Sequence, residues 1–94
     1  MGILNIDFLS ESILLSASSD KSIKLWDLEK KDILCTLLPS PQEALGIEYM
    51  QTTVGHFEGN VVSISLSGKI NIWEKNDIGE NALPNSVILG HKVN

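Results

Sequence analysis

The sequence predicts an all-β fold built from consecutive units of four short antiparallel strands. The first observation is a repeat: after a shift of 47 positions, residues 14–27 align with residues 61–74 without a gap, and Trp26 falls on Trp73. The second is that each aligned stretch has two short apolar runs joined by a polar turn, the pattern of a tight β-hairpin. A period of about 40 to 45 residues, with a Trp-Asp pair closing the third of four strands, is typical of a β-propeller blade. We therefore predict two four-stranded antiparallel blades of an incomplete propeller.

The first unit shows short apolar stretches separated by polar turns. Leu14 and Leu15 point to opposite faces of their strand because side chains alternate with a two-residue period. Both faces are therefore apolar, which suits a sheet that is covered on both sides. Asp20 lies in a polar turn, where its side chain is expected to accept hydrogen bonds from the following backbone. The predicted strands of this unit cover residues 3–9, 13–18, 23–27 and 33–38.

The second unit begins after Pro39 and Pro41, which end the first sheet because proline cannot donate to a strand ladder. Residues 51–60 and 75–85 are predicted to be loops, the first long and polar, the second charged and rich in asparagine. No helix is expected. The predicted strands of this unit cover residues 45–50, 61–66, 69–74 and 86–89. The resulting division is a first blade at 1–38, a second blade at 39–89 and the start of a third unit at 90–94.

Two blades cannot cover their own outer faces. Stable repeat arrays need roughly three or more units, and propellers close with about four to eight blades. The chain is therefore expected to be part of a longer propeller, or to pair with copies of itself. Self-association of the isolated chain is predicted because each uncovered flank is apolar and larger than a soluble monomer usually exposes.

Composition narrows the classes of partner. Twelve acidic residues against seven Lys and Arg give a formal net charge of -5, which disfavours nucleic acid and anionic membranes. No window approaches the roughly 18 consecutive apolar residues of a membrane span. The single cysteine, Cys35, excludes an internal disulfide, and neither His56 nor His91 has a partner at metal-ligand spacing. We expect a cytoplasmic chain without a metal or another cofactor.

The group Ser16, Asp20, Trp26 and Asp27 resembles the WD-repeat family. In that family a loop histidine, a strand hydroxyl, a turn aspartate and the tryptophan form one buried hydrogen-bond network, and the resemblance implies this role for the first three residues. Such a network is physically reasonable, since a buried indole, hydroxyl or carboxylate is destabilising if it lacks a partner.

The second unit keeps only part of this pattern. Ser63 and Trp73 occupy the hydroxyl and indole positions, whereas Ser67 replaces the turn aspartate and Glu74 replaces the closing aspartate. The network of the second unit is therefore expected to be incomplete.

No enzyme is predicted. The sequence has no nucleophile with a base at a recognisable spacing, no G-x-S-x-G elbow and no phosphate-binding loop. Binding is expected on the two predicted loops, because propellers carry recognition on loops held by a rigid scaffold. The candidate interaction residues are Phe57, Glu58, Lys75 and Asp77, and the alternative is that these loops are only solvated connections.

Three segments, at residues 14–21, 62–71 and 89–92, are similar to the actin-interacting WD-repeat proteins that assist cofilin. The run Ser-Ile-Ser-Leu-Ser-Gly followed by Ile70 and Asn71 is the most specific of them. The resemblance implies a cytoplasmic or cytoskeletal, non-enzymatic protein whose partners are actin and cofilin and which promotes filament disassembly. The alternative is a WD-repeat scaffold for another assembly, such as a ubiquitin ligase, a trafficking coat or an RNA-processing complex.

Overall fold

The computed structural model describes residues 2–40 and 46–89. These residues form two four-stranded antiparallel sheets, and each sheet keeps its strands in sequence order. The predicted all-β class with two such sheets is confirmed. The first sheet contains β1 (Ile3–Phe8), β2 (Ile13–Ser18), β3 (Ile23–Asp27) and β4 (Asp32–Leu37). The second contains β5 (Gln51–Phe57), β6 (Asn60–Ser65), β7 (Ile70–Trp73) and β8 (Ser86–Ile88).

The first sheet follows the predicted strands to within one residue at each end. Its central hairpin pairs Leu14 with Trp26 and Leu15 with Leu25. The hairpin turn contains Lys21 at a φ of 76°, in the left-handed region that tight turns require. Alternation of apolar residues between polar turns was therefore sufficient to locate these four strands.

The innermost strand of the second sheet differs from the prediction. A strand over residues 45–50 is wrong: Ile47–Tyr49 forms a single 3-10 turn, and residue 45 lies outside the described residues. The strand is β5, within the stretch that was predicted to be a long polar loop. Its β-branched residues Thr52, Thr53 and Val54 favour a strand, while its polar residues Gln51 and His56 suggest a loop.

Helix content and the β5–β6 connection also depart from the prediction. Single 3-10 turns, at Ile47–Tyr49 and Lys75–Asp77, serve as connectors where no helix was expected. The β5–β6 connection is a two-residue turn in which Glu58 has a φ of 53° and Gly59 a φ of 85°. Positive φ at both central residues is characteristic of the turns that fit the twist of a hairpin.

The two sheets pack face to face. We call the side of each sheet that carries its tryptophan the front face and the opposite side the back face. Trp73 and Val61, on the front face of the second sheet, join one buried cluster with Leu15, Ala17 and Leu25 of the first sheet's back face. These five side chains are at most 1% exposed. The core of the described residues therefore lies between the sheets.

Two polar contacts also join the innermost strands of the sheets. The Asn5 side-chain oxygen accepts a hydrogen bond from the Val54 amide at 2.9 Å, and His56 Nδ1 lies 2.8 Å from an Asp7 carboxylate oxygen. Each predicted blade range contains one sheet, although the exact division at residues 38 and 39 stays a prediction. The predicted third unit at 90–94, including His91, lies outside the described residues.

Candidate functional site

The first sheet brings Ser16 and Trp26 into contact. Ser16 lies opposite Lys24 and Leu14 lies opposite Trp26, so the serine and the tryptophan share the front face one step apart on a diagonal. The Trp26 indole Nε1 donates a hydrogen bond to Ser16 Oγ at 2.9 Å. Ser16 is 1% exposed, whereas Trp26 is half-buried. This contact connects β2 to β3 through side chains.

Asp20 interacts with other partners, within its own turn. Its Oδ1 accepts hydrogen bonds from the Ser22 amide at 3.0 Å and from the Ser22 hydroxyl at 2.5 Å. Its Oδ2 pairs with Lys24 Nζ at 3.2 Å. Partial burial alone would raise the pKa of the Asp20 carboxyl, but the hydrogen bonds from Ser22 and the charge of Lys24 together lower this pKa to about 2. Asp20 therefore stabilises the β2–β3 turn as an ionised group.

Asp27 closes the next turn. Its Oδ1 accepts hydrogen bonds from the amides of Glu29 at 3.0 Å and Lys30 at 3.1 Å. This geometry lets a short polar side chain take the place of backbone acceptors in a tight connection. Asp27 thus positions the chain between β3 and β4.

A buried polar cluster in the second sheet was missed at the level of sequence. Ser63 Oγ donates to Gln51 Oε1 at 2.6 Å, and Asn71 Nδ2 donates to the same oxygen at 3.0 Å. Gln51 Nε2 in turn donates to the Tyr49 carbonyl at 2.6 Å. Gln51 is fully buried, and Ser63 and Asn71 are at most 3% exposed. Recognising Thr52, Thr53 and Val54 as a strand would have placed Gln51 next to this cluster.

Trp73 occupies the same position in the strand pairing of its sheet as Trp26 does in the first sheet, but its indole donates a hydrogen bond to a different acceptor. It pairs with Val61 as Trp26 pairs with Leu14, and it is fully buried. Its indole Nε1 donates to the Ala82 carbonyl at 2.9 Å, whereas the Ser63 hydroxyl donates to Gln51.

The connection between β7 and β8 reaches back to the first sheet. The Ala82 carbonyl also accepts from the Leu38 amide at 3.0 Å, and the Asn81 amide donates to the Thr36 carbonyl at 2.7 Å. The Glu80 carboxylate accepts from the Thr36 amide at 2.9 Å. These bonds cover the edge of β4, whose backbone groups would otherwise be open to pairing with another chain.

The predicted interaction residues lie at one end of the second sheet. Phe57 is the last residue of β5 and is 64% exposed, and Glu58 stands in the tight turn that follows it. Lys75 lies against Gly59 of that turn, with its Cδ 3.1 Å from where a β-carbon on Gly59 would stand. Asp77 accepts a hydrogen bond from Asn85 Nδ2 at 2.8 Å. We call Phe57, Glu58, Lys75 and Asp77 the end surface.

A hollow of about 300 Å³ lies at the opposite end of the second sheet. Its polar lining includes Tyr49, Gln51, Ser67, Lys69 and Asn71. The amides of Gln51 and Asn71 are already paired with each other and with Ser63. The hollow is therefore lined in part by scaffold groups whose hydrogen bonds are used internally.

Cys35 is buried in β4 at 6% exposure. Burial raises the pKa of its thiol, and the nearby Glu80 carboxylate raises it further. The thiol is therefore held in its protonated, weakly nucleophilic form.

Within residues 2–40 and 46–89, no three His, Cys, Asp or Glu residues stand close enough together to hold a metal ion. The described part of the chain also contains no helix with the length and apolar character needed to cross a membrane.

Comparison with known proteins relates the chain to WD-repeat proteins. WD repeat-containing protein 1 of Mus musculus is 34% identical over 93 residues, which cover 96% of this chain and 14% of that protein. DDB1- and CUL4-associated factor 10 of Homo sapiens is 33% identical over 85 residues, which cover 85% of this chain and 14% of that protein. The chain thus spans about a seventh of the length of these relatives. No protein-family model matches it.

A solved structure shows the same fold. The WD40 β-propeller domain of Doa1 superposes with a TM-score of 0.70 at 23% identity, covering 92% of this chain and 26% of that chain. The two sheets therefore have the fold of two β-propeller blades.

Proposed function

We propose that the chain is a non-catalytic protein-interaction module that presents its end surface to a protein partner. The observation that carries this proposal is an exposed aromatic residue, Phe57, which ends β5 next to a tight two-residue turn and lies beside acidic and basic side chains. An aromatic anchor in a ring of charged groups is a common composition of binding hot spots. A tight turn also loses little conformational entropy when a partner binds.

The polar side chains that an enzyme would need for catalysis are engaged in hydrogen bonds and an ion pair within the two sheets. Ser16 accepts from Trp26, Ser63 donates to Gln51, and the Asp20 carboxylate is occupied by Ser22 and Lys24. Among the described residues, every buried side-chain nitrogen and oxygen has a hydrogen-bond partner. This arrangement supports a binding role over a catalytic one.

Actin filaments decorated with cofilin are the proposed partner, in a cytoplasmic and cytoskeletal setting. Support comes from the three segments that resemble actin-interacting WD-repeat proteins, together with the similarity to WD repeat-containing protein 1 along 96% of the chain. The net charge of -5 makes a protein surface a better partner than a polyanion.

The test is co-sedimentation of the purified chain with actin filaments in the presence and absence of cofilin. We expect the chain to pellet with decorated filaments, and we expect Phe57→Ala and Lys75→Glu each to raise the dissociation constant obtained from the pelleted fractions by about 30-fold, since losing a hot-spot residue costs about 2 kcal/mol or more. Leu66→Ala is the matched control, because Leu66 is 53% exposed and lies in the β6–β7 turn at the other end of the sheet. Pelleting no higher than in filament-free samples would contradict the proposal.

A second candidate is an adaptor in a ubiquitin ligase. The observation that favours it is the 33% identity to DDB1- and CUL4-associated factor 10 over 85% of the chain. Direct binding to purified DDB1, measured by calorimetry alongside the actin assay, would separate the two candidates. Binding to DDB1 without binding to decorated filaments would favour the adaptor.

A further inference from the structure

The connection between β7 and β8 lies along the outer edge of the first sheet as a short added strand. Residues 80–82, which we call the clasp, run parallel to the end of β4. The Asn81 amide donates a hydrogen bond to the Thr36 carbonyl at 2.7 Å, and the Ala82 carbonyl accepts one from the Leu38 amide at 3.0 Å. The clasp therefore stands where a fifth strand would add to this sheet.

A side chain supplies a further bond of the clasp. The Glu80 carboxylate accepts a hydrogen bond from the Thr36 amide at 2.9 Å, where a longer strand would present a backbone carbonyl. In the register set by the bridge between Leu37 and Ala82, Glu80 falls beside Cys35. A hydrogen bond to an ionised carboxylate is stronger than one between neutral groups, so Glu80 is the strongest single attachment of the clasp.

The clasp covers only the second half of β4. Among the described residues, no backbone hydrogen bond from the β7–β8 connection reaches residues 32–34. The side chains in this uncovered half include Ile33, which is 43% exposed, and Leu34, which is 51% exposed. A longer strand would pair along both halves and cover these apolar side chains. The edge of β4 can therefore bind more of an external strand than it binds of the clasp.

The clasp is the exposed middle of a connection whose base is fixed. At the base, Asn85 Oδ1 accepts from the Glu74 amide at 2.8 Å, and Asn85 Nδ2 donates to Asp77 at 2.8 Å. Glu80 and Asn81 are exposed, and Asn81 has a φ of 58°, a left-handed conformation that residues other than glycine adopt at a cost in free energy. The clasp can therefore separate from β4 without unfolding either sheet.

The edge of β4 lies at the rim of the fold and not on a face of a blade. Blades of a propeller cover one another face to face, so neighbouring blades leave the edges of the outer strands at the rim. This chain already supplies its own cover for the edge through the clasp, and what can replace that cover is another extended polypeptide. Addition of an extended segment to an exposed sheet edge is a recurring mode of peptide recognition.

We propose that the edge of β4 is a docking site for an extended segment of a partner protein, which adds as a parallel strand in place of the clasp. The clasp indicates the chemistry of this segment: an acidic residue that accepts from the Thr36 amide, followed two positions later by a small residue beside Leu37. Apolar residues that favour strands would precede them, beside Ile33 and Leu34. The clasp is an internal competitor that keeps the edge closed, and this surface is separate from the end surface.

The probe is a labelled peptide of sequence Thr-Val-Thr-Val-Glu-Asn-Ala-Leu with blocked ends. It keeps the three residues of the clasp and adds residues that reach the first half of β4. Fluorescence anisotropy with the whole chain gives the dissociation constant. The reversed sequence has the same composition and should bind at least about tenfold more weakly, because only one direction matches the parallel register. Equal binding of the two peptides would overturn the proposal.

Glu80→Ala tests the competition between the peptide and the clasp. The variant weakens the clasp but not the peptide, which carries its own acidic residue. The apparent dissociation constant varies inversely with the fraction of chains whose edge is open. Losing a charge-assisted hydrogen bond is equivalent to about tenfold or more, so Glu80→Ala should bind the peptide about tenfold more tightly than the unmodified chain.

Glu74→Ala is the matched control for this variant. It removes the same charge from an exposed position of the same connection, outside the clasp, and should leave the dissociation constant unchanged. An equal gain in affinity for the two variants would show that net charge, and not the clasp, controls binding. The proposal would also be wrong if the peptide bound neither the unmodified chain nor Glu80→Ala at about millimolar concentration, the usual effective concentration of a competitor on a short connection.

Displacement of the clasp has its own spectroscopic signature. The Trp73 indole donates to the Ala82 carbonyl at 2.9 Å, so its N–H resonance should shift when the peptide lifts the clasp. The Trp26 indole donates to Ser16 in the first sheet, and its resonance should stay in place. Peptide binding that left the Trp73 resonance unchanged would place the peptide elsewhere and contradict the proposal.

A second variant opens the clasp by an independent route. Asn81→Pro removes the amide that donates to Thr36, and proline cannot adopt the positive φ of this position. Circular dichroism checks that each variant is folded. If Glu80→Ala fails to fold, Asn81→Pro should show the same gain in affinity for the peptide, and no gain there would rule out the clasp as a competitor.

Discussion

The hydrogen bond from Trp26 to Ser16 joins two strands whose backbones are already paired. It satisfies an indole donor and a hydroxyl that is 1% exposed, and an unpaired polar group at such a site costs about 1 to 3 kcal/mol. The resemblance to WD-repeat proteins implied this pair at the level of sequence. It did not point to Gln51, whose role depends on Ser63 and Asn71 of two other strands.

Ser16→Ala is expected to lower the free energy of unfolding by about 1 kcal/mol, because the Trp26 indole loses its acceptor in a partly buried setting. Urea unfolding at fixed protein concentration measures the change. In a Trp26→Phe background the same substitution should have a much smaller effect, since the donor is gone. Ser10→Ala, at an exposed turn serine, is the control, and an equal loss there would argue against a specific Ser16–Trp26 contribution.

The lowered pKa of Asp20 makes the free energy of unfolding depend on pH. Its pKa is about 2 in the folded chain against 3.8 for the free group, so the folded state holds the proton less tightly than the unfolded state. The stabilisation is therefore fully present above pH 3.8 and is lost as the pH falls through 2. After allowance for solvent screening of a partly exposed group, it amounts to about 1 kcal/mol. Asp20→Asn should lose this component, so the difference in unfolding free energy between the two proteins should shrink between pH 4 and pH 2. A constant difference would contradict the assignment.

At the scale of single elements, the sequence predicted the positions of the four strands of the first sheet but not that of β5. In the first sheet, apolar and polar residues separate strands from turns. In β5, Gln51 and His56 are polar but face the first blade, where Gln51 is buried with Ser63 and His56 meets Asp7. Hydropathy alone cannot distinguish a polar loop from a strand whose polar side chains are paired across an interface, because the pairing partners are distant in sequence.

Gln51→Ala is expected to destabilise the chain by about 2 to 3 kcal/mol. It removes the common acceptor of Ser63 and Asn71 and leaves both of them buried without that partner. Thr53→Ala, two positions along the same strand but exposed, should change the unfolding free energy by about 0.5 kcal/mol or less. Chemical denaturation of both variants gives the comparison, and similar effects at the two positions would rule out the buried cluster as a source of stability.

At the scale of the whole molecule, three features join the two blades. They share one apolar core, their innermost strands make a polar contact, and the β7–β8 connection of the second blade covers the edge of β4 in the first. The side chains of Asp7 and His56 are each about 40% exposed, and such exposed pairs contribute about 1 kcal/mol at most to the free energy of unfolding. Burial of Leu15, Leu25 and Trp73 between the sheets contributes more, at about 1.5 to 3 kcal/mol for each large side chain. Apolar packing therefore dominates the coupling between the blades, and the repeat in the sequence was enough to predict that such packing is needed.

Because the core is shared, the two blades should unfold as one cooperative unit. Each blade contains one tryptophan, so Trp73→Phe leaves a reporter in the first blade and Trp26→Phe leaves one in the second. In each single-tryptophan protein, the fluorescence transition in urea should coincide with the loss of β-structure followed by circular dichroism, since coincident probes are the mark of two-state unfolding. Leu25→Ala should shift both probes together by about 2 to 4 kcal/mol, because the cavity it creates lies between the sheets and neither blade keeps its buried face. If Leu25→Ala moved only the Trp26 signal and left the Trp73 transition in place, the blades would be independent, and the shared core could not be what couples them.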